Sequence, residues 1–306
     1  MKVLVTGGSG RAGEYIMAEL AAHGHICINA DVAPPPPTAH DSGALFQRVD
    51  FTDYGQTVAV MQGVDAVVHM AAIPAPNIDA EHTVFRVNML SNWNVLEAAE
   101  LYGVKKIVMA SSINALGAGW GADKFTPEYF PVDEAHPPRV QDAYSQSKWL
   151  GEQMADAFVR RRPDLQIASM RFHALWNPAT ARDYMENGDK TNTSGRAAMG
   201  MWSWVGRHDA ARACRLALEK EFGGHEAFFI NAKDTVLEVP TEEAIRREYG
   251  DVVLRKPLPG FESALDISKG KRLLDWEPVE SWREGTVREP EGASHDRPQY
   301  EAPWTR

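Results

Sequence analysis

Short apolar runs alternate with amphipathic stretches along the first 172 residues of this 306-residue chain. The apolar runs have strand length and end at turn residues, whereas the longer stretches carry apolar positions at helical spacing. The predicted strands are residues 2–6, 25–30, 44–49, 65–70, 105–111 and 166–172, and the predicted helices are residues 14–22, 54–61, 83–101 and 142–162. Strands that alternate with helices predict an α/β fold, a doubly wound parallel sheet with helices on both faces.

The pattern is less regular after residue 172. Residues 177–200 are polar and predict no regular element. Helices are predicted at residues 207–220, 241–249 and 268–274, and a further strand at residues 227–231. We therefore predict a first domain of residues 1–173 to which residues 205–232 return, a small C-terminal cap of residues 174–204 and 233–290, and a polar tail of residues 291–306.

A glycine-rich loop separates the first predicted strand from the first predicted helix. The loop contains Gly7, Gly8, Ser9, Gly10, Arg11, Ala12 and Gly13. Glycines let the backbone turn tightly and approach a diphosphate without a Cβ in the way. The helix that follows offers free N–H groups and the positive end of its dipole to that diphosphate. Strand, loop and helix together predict a dinucleotide site; the alternative is a glycine turn in an ordinary α/β domain.

An acidic residue ends the second predicted strand. Asp31 lies 18 residues past Gly13, close to the spacing of about 20 residues expected for the acid that bonds the ribose hydroxyls of NAD. A 2′-phosphate would be repelled by Asp31, and no Arg or Lys directly follows it. The sequence therefore favours NAD over NADP, with Arg11 as the one contrary feature.

Charge and cysteine content narrow the class of protein. The formal net charge of −10 argues against nucleic acid or an anionic membrane as a partner. Cys27 and Cys214 both lie in apolar segments, so we expect buried free thiols in a reducing compartment. No apolar run reaches the ~18 residues of a membrane span, and the first strand starts at Lys2, which leaves no room for a signal peptide. We expect a cytoplasmic protein.

Tyr144 and Lys148 are four residues apart at the start of a strongly predicted helix and therefore share one helical face. A lysine ammonium near a phenol is expected to lower the pKa of the phenol toward working pH. An exposed helix pair would be the simpler interpretation, but Ser112 lies where the fourth strand ends, at the edge where ligands bind such sheets. Its hydroxyl could bond a substrate carbonyl oxygen while Tyr144 moves the proton.

The glycine loop together with this trio resembles the extended short-chain dehydrogenase/reductase family, the NAD-dependent epimerase/dehydratases. Residues 207–213 resemble the family's Asp-x-Ala-x-Ala helix start, and residues 266–278 its C-terminal signature. The resemblance implies a Rossmann-type NAD-binding domain, a substrate-binding cap, and a homodimer formed through the helices at 83–101 and 142–162.

The resemblance also implies roles for matched positions. The catalytic residues would be Ser112, Tyr144 and Lys148. NAD would contact Gly7, Gly10, Arg11, Ala12, Gly13, Asp31, Asp50, Phe51, Ala71, Ala72, Asn88, Tyr144, Lys148 and His173. For Asn88, the alternative is an amide bonded to backbone inside the fold.

The residues expected to contact substrate depart from several family patterns. They are Ser112, Ile113, Asn114 and His173. Ile113 and Asn114 stand where the family's dehydratases carry an Asp-Glu pair, which argues against dehydration. Ala174 replaces an Asn, and Leu116 a Tyr, of the epimerases that act on nucleotide sugars. Ala174 argues against a nucleotide-sugar substrate, and Leu116 resembles the aliphatic residue of the dehydrogenases of uronates and related sugars.

Three side chains near the expected site have two interpretations each. His173 follows the fifth strand and could contact substrate or nicotinamide, or simply be packed and hydrogen-bonded. Trp202 and Trp204 could form an aromatic wall for a sugar, but packing is the more common role.

His69, His82 and His136 have no ligand-like spacing, so we predict no metal site.

The sequence thus predicts an NAD-dependent dehydrogenase of a sugar, sugar acid or similar alcohol. One alternative is a sugar epimerase that keeps NAD bound, and another is a non-catalytic NAD-binding regulator.

Overall fold

The computed structural model describes residues 1–36 and 44–289. The strands in the described residues are β1 (Lys2–Thr6), β2 (Ile26–Asp31), β3 (Leu45–Arg48), β4 (Ala66–His69), β5 (Lys106–Ser112), β6 (Tyr129–Phe130), β7 (Gln166–Phe172), β8 (Leu175–Trp176), β9 (Val205–Gly206), β10 (Gly224–Ile230) and β11 (Val253–Leu254). The helices are α1 (Gly13–Ala22), α2 (Tyr54–Met61), α3 (Glu81–Leu101), α4 (Ala143–Arg161), α5 (Pro178–Asn187), α6 (Gly195–Met199), α7 (Arg207–Glu219), α8 (Thr241–Tyr249) and α9 (Ser268–Leu274).

Seven strands form one parallel sheet in the order β10-β7-β5-β4-β1-β2-β3. Helices α1, α7 and α9 bury their apolar residues on one face of this sheet, and α2, α3 and α4 bury theirs on the other. This confirms the predicted doubly wound α/β fold. The predicted strands and helices up to residue 172 agree with the observed ones to within two residues, because buried strands and amphipathic helices have clear apolar periods.

The prediction that residues 177–200 form no regular element is wrong. They form α5 and α6. Asn177 caps α5, since its Oδ1 accepts a hydrogen bond from Thr180 N at 2.9 Å, and Pro178 follows in the first turn. The apolar period is weak because Ala181 is the buried residue of α5. The cap signal was present in the sequence, but the apolar signal was not.

A further core, rich in aromatic residues, combines residues of the predicted cap with residues of the sheet half such as Leu116 and Phe229. Its buried residues include Trp176, Trp202, Trp204 and Trp282, and the indole rings of Trp176 and Trp204 are 4.9 Å apart between centroids. The predicted polar tail, residues 291–306, lies outside the described residues.

Both thiols are free and buried, as predicted for Cys27 and Cys214. Among the described residues, none of the helices combines the length and apolarity that a membrane crossing requires.

Candidate active site

The glycine loop is closed by its own backbone. Gly10 N donates to Gly7 O at 3.0 Å, and Gly7 has a φ of +64°, which favours glycine. A Cβ on Gly13 would lie 2.3 Å from Gly7 O and 2.6 Å from Gly8 Cα. Only a glycine therefore allows α1 to begin this close to the loop. Ala12 is the residue before the helix, and the side chain of Arg11 is exposed.

This cradle fits the diphosphate of a dinucleotide. The amino end of α1 points free N–H groups at a loop without side-chain bulk. Gly8 packs closely against Asn29, since a Cβ at position 8 would lie 2.4 Å from Asn29 Oδ1. The acidic residue of the motif is at the same place: Asp31 accepts hydrogen bonds from Ser9 N and Ala33 N, each at 3.2 Å. Burial raises the pKa of the Asp31 carboxyl.

Asp50 and Phe51 follow β3, at the same edge of the sheet as the glycine loop. The Asp50 carboxylate accepts hydrogen bonds from Thr52 N at 2.9 Å and from Thr52 Oγ1 at 2.7 Å, so it caps its own turn. The ring of Phe51 is buried in the core, with its centroid 6.1 Å from that of His69. Any contact between Phe51 and an adenine therefore has to use the main chain of Phe51.

A buried hydrogen-bond chain fixes the segment after β4. Thr6 Oγ1 accepts bonds from Met70 N at 3.1 Å and Ala71 N at 3.0 Å, so its own hydrogen goes to His69 Nδ1 at 2.7 Å. His69 Nε2 then donates to Asn92 Oδ1 at 3.1 Å. Burial lowers the pKa of His69 to about 3, so its imidazole is neutral.

The same segment passes directly over the glycine loop. A Cβ on Gly7 would lie 2.8 Å from Ala71 N. The main chain of Ala71 therefore lies beside the loop, and the contact of Ala71 and Ala72 with NAD stays a prediction.

Asn88 connects this segment to α4. Its Oδ1 accepts from Ile73 N at 2.8 Å, and its Nδ2 donates to Ile73 O at 3.1 Å and to Ser147 Oγ at 3.1 Å. These bonds match the alternative stated for Asn88, an amide bonded to backbone. The side chain holds the loop after β4 against the helix that carries Tyr144.

The structure brings Ser112, Tyr144 and Lys148 together. Ser112 ends β5, and Tyr144 lies in the first turn of α4, with its phenol beside the Ser112 hydroxyl. Lys148 Nζ donates to Ala110 O at 2.8 Å and lies 5.6 Å from the centroid of the Tyr144 ring. The strand end and the helix start therefore place a hydroxyl, a phenol and an ammonium at the carboxyl edge of the sheet.

The predicted direction of the Tyr144 pKa is wrong for this structure. Burial raises the pKa of Tyr144 to about 12, and the nearby Ser112 hydroxyl opposes that rise. Burial also lowers the pKa of Lys148 to about 8, while the carboxylate of Glu152 acts in the opposite direction. Desolvation outweighs the nearby charge because both side chains are enclosed and Lys148 bonds a backbone carbonyl.

A buried ion pair beneath Ser112 was missed by sequence reasoning. Arg171 donates to both carboxylate oxygens of Glu152, at 2.9 and 2.7 Å, and Ser111 Oγ donates to the same carboxylate at 2.6 Å. Two signals were available in the sequence: Glu152 stands four residues after Lys148, and Arg171 interrupts an apolar strand. The pair joins β5, β7 and α4 directly under the predicted catalytic residues.

On the substrate side, Ile113 is buried and Asn114 bonds Ser112 Oγ through both its backbone N and its Nδ2, each at 3.1 Å. The structure favours the packed interpretation for His173. Its Nδ1 accepts from Ala174 N at 2.6 Å, it also bonds the backbone of Gly200, and burial lowers its pKa to about 4.

Trp202 and Trp204 are buried core residues of the cap rather than an exposed wall. Trp204 Nε1 donates to Asp234 Oδ1 at 3.0 Å.

His208, Asp209 and Glu280 have ligand-type atoms within 4.8 Å of one another. Both carboxylates of this cluster already accept hydrogen bonds from backbone N–H groups. Asp209 accepts from Val279 N at 2.8 Å and Glu280 N at 2.7 Å, and Glu280 accepts from Asp209 N and Arg288 N, each at 2.9 Å. The cluster ties α7 to the segment that follows α9.

The fold and the glycine loop are those of a dinucleotide-binding protein of the α/β class. The model of the NAD dependent epimerase/dehydratase family matches residues 3–230. The chain therefore belongs to that family. The match confirms the resemblance, and with it the expectations of an enzyme and of NAD as cofactor.

Individual relatives are more distant. The chain is 29% identical over 171 residues to a uronate dehydrogenase of Pseudomonas syringae pv. tomato, a match that covers 56% of this chain and 58% of that protein. It is 28% identical over 223 residues to an L-arabinose 1-dehydrogenase (NAD(P)(+)) of Haloferax volcanii, covering 71% and 82%. The structure of a UDP-glucose 4-epimerase of Thermotoga maritima shares the fold, with a TM-score of 0.70, 24% identity, and coverage of 94% and 97%.

Proposed function

We propose that this protein is an NAD-dependent dehydrogenase that oxidises a hydroxyl of a sugar or sugar acid. The observation that carries the proposal is the position of Ser112, Tyr144 and Lys148. All three lie at the carboxyl edge of the sheet, the same edge as the glycine cradle. The dehydrogenases of uronate and of L-arabinose among its relatives support a sugar substrate.

NAD fits the loop, and its residues have distinct tasks. The diphosphate would lie over Gly7, Gly10 and Gly13 at the amino end of α1. Asp31 would accept hydrogen bonds from the adenosine ribose hydroxyls. NAD supplies the hydride acceptor when it is bound.

Ser112, Tyr144 and Lys148 would have different roles in the proton transfer. The substrate hydroxyl would bind between Ser112 and Tyr144. The Tyr144 phenolate would accept the hydroxyl proton, and Ser112 would donate to the same substrate oxygen. The Lys148 ammonium, 5.6 Å from the phenol ring, favours the phenolate electrostatically.

The pKa of Tyr144 gives the pH dependence. Oxidation needs the phenolate, and a pKa raised to about 12 means that its fraction grows with pH below that value. We expect the oxidation rate to rise with pH from about pH 7 to about pH 10, less steeply above about pH 8, where Lys148 loses its ammonium proton, and the reverse reduction to fall over the same interval. Initial rates of NADH formation and consumption in matched buffers measure both limbs. A flat oxidation profile would contradict the role of Tyr144.

A sugar epimerase that keeps NAD bound is the second candidate. The same three residues support oxidation followed by reduction on the other face of the ketone. The UDP-glucose 4-epimerase of Thermotoga maritima has the same fold, which both reactions can use. Ala174, which stands where nucleotide-sugar epimerases have Asn, weighs against it. A non-catalytic NAD-binding regulator is disfavoured by the intact trio.

The division into an NAD-binding domain and a cap, and the homodimer, are also part of the proposal. Residues 174–204 and 233–290 would form the substrate-binding cap on the NAD-binding domain of residues 1–173 and 205–232. A homodimer through α3 and α4 is expected by family resemblance. Leu90 and Trp93 on α3 are exposed apolar side chains that such a contact would cover.

A substrate panel tests the proposed function. Uronates, aldoses and nucleotide sugars are each mixed with the protein and NAD⁺, and absorbance at about 340 nm is followed as the measure of NADH. A dehydrogenase accumulates NADH with at least one uronate or aldose. An epimerase changes the substrate without net NADH, which chromatography of the sugar detects. Absence of both changes across the panel would reject both candidates.

A further inference from the structure

The Ser112 oxygen accepts two hydrogen bonds from a single residue. Asn114 donates to Ser112 Oγ through its backbone N and through its Nδ2, each at 3.1 Å. A hydroxyl oxygen has two acceptor positions and one hydrogen to donate. Both acceptor positions of Ser112 are therefore filled, and only its hydrogen remains for another partner.

The turn that carries Asn114 is held firmly in place. Residues Ile113–Leu116 form a 3₁₀ turn with Ser112 as its N-cap, and Gly117 N donates to Asn114 O at 2.8 Å. Gly117 has a φ of +88°, and a Cβ there would lie 2.2 Å from Arg139 O. The backbone N–H of Asn114 is thus directed at Ser112 by the turn, and the side-chain amide supplies the second bond.

We propose that Asn114 is a positioning residue that makes Ser112 a hydrogen-bond donor only. The inference rests on the proposed function, since it concerns the same site. With its acceptor positions filled, Ser112 cannot accept a bond from the Tyr144 hydroxyl. The hydrogen of Ser112 is directed at the Tyr144 oxygen, or at the substrate oxygen when substrate is present. The proton of Tyr144 is then left to exchange with the substrate alone.

The oxygen of the Asn114 side-chain amide defines an alternative arrangement, in which the amide is reversed. Asn114 Oδ1 is buried and has no hydrogen-bond partner within the described part of the chain. It faces Gly119, where a Cβ would lie 2.8 Å from it. If the amide were reversed, Oδ1 would accept the hydrogen of Ser112 and withdraw it from Tyr144. The two orientations predict opposite effects when the amide is removed.

The experiment titrates residue 144 directly and needs no substrate. The protein is made with 3,5-difluorotyrosine at position 144, which lowers the intrinsic pKa of the phenol into an accessible range, and the ¹⁹F chemical shift is followed against pH. Asn114→Leu removes the Nδ2 donor without adding charge. It opens an acceptor position on Ser112, so we expect the midpoint to rise by about one pH unit.

The Ser112→Ala background is the matched control. There, Asn114→Leu should leave the midpoint unchanged, since the oxygen through which Asn114 acts is gone. An unchanged midpoint in the native background would overturn the proposal. So would a downward shift, which the reversed amide predicts, or an equal rise in both backgrounds.

A second variant guards against misfolding. If Asn114→Leu loses its NAD binding and its thermal transition, Asn114→Asp replaces it, because an aspartate keeps the shape but cannot donate. Its added charge acts in both backgrounds and cancels in the comparison. This result is separable from the proposed function: a Tyr144→Phe protein that still turns over substrate defeats the function, whereas the titration alone decides the role of Asn114.

Discussion

The sheet half of the molecule, residues 1–173 and 205–232, and the predicted cap, residues 174–204 and 233–289, hold their side chains in different ways. In the sheet half, strand register sets the positions. Ser112 pairs with Phe172, and Thr6 with His69, so the ends of these strands reach one edge together. In the cap, side chains bond backbone groups far away in sequence. Trp282 Nε1 donates to Thr235 O at 3.0 Å, and Tyr184 Oη to Val236 O at 2.8 Å.

This difference teaches where precision in the site originates. The proposed catalytic residues depend on a strand end, a 3₁₀ turn and a helix start, all of which backbone hydrogen bonds define. The cap depends on aromatic contacts and buried polar pairs that a single substitution disturbs. Substitutions at the carboxyl edge of the sheet should therefore change cofactor binding or chemistry, and substitutions in the predicted cap should change stability without changing NAD binding.

The largest expected effect on stability lies beneath the catalytic edge. Glu152→Leu leaves the guanidinium of Arg171 buried without its partner, so the free energy of unfolding should fall by about 3–5 kcal/mol. The double variant Glu152→Leu/Arg171→Leu should recover much of that loss. Denaturant unfolding measures all three proteins. Glu243→Ala, which breaks an exposed pair with Arg247, is the control and should cost less than about 0.5 kcal/mol.

The next effect concerns the glycine cradle. Gly13→Val places carbon atoms where Gly7 O and Gly8 Cα lie, so α1 has to move away from the loop. The dissociation constant for NAD should rise at least about 100-fold. Isothermal titration with NAD gives the value. Gly55→Ala in α2, whose Cβ would meet the side chain of Asp53 at 3.3 Å, should bind NAD as the unmodified protein does.

The smallest effect tests the cap. Trp204→Phe removes the bond to Asp234 Oδ1 and part of a buried ring, so we expect a loss of about 2 kcal/mol in the free energy of unfolding. Binding of NAD should not change. Tyr54→Phe on α2, which is 40% exposed, should alter stability by less than about 0.5 kcal/mol. Weaker NAD binding by the Trp204 variant would break the separation between the two halves.

The sheet half could be predicted from the sequence because its signals are local. Buried strands, amphipathic helices and the glycine spacing around Gly7, Gly10 and Gly13 each follow from a short window of residues. The meeting of Ser112 with Tyr144 also followed, once Ser112 was placed at a strand end. Helix α5 was missed because its cap at Asn177 was not matched by a row of apolar residues.

What could not be predicted depends on burial and on distant contacts. The rise in the pKa of Tyr144 comes from enclosure by the whole fold, which no spacing of Tyr144 and Lys148 reveals. The pairing of Arg171 with Glu152 joins a strand to a helix across 19 residues. The donors on Ser112 depend on the turn geometry at Asn114. In each case the outcome depends on desolvation or on the direction of a hydrogen bond, and residue type alone reveals neither.

The most direct test of the central claim compares turnover and NAD binding in Tyr144→Phe, using the best substrate from the panel. This substitution removes only the phenolic oxygen from a residue that is 7% exposed. Turnover should fall at least about 1,000-fold, while the NAD dissociation constant stays within about twofold of the unmodified value. Turnover close to that of the unmodified protein would show that the proton moves elsewhere and would contradict the assignment of Tyr144.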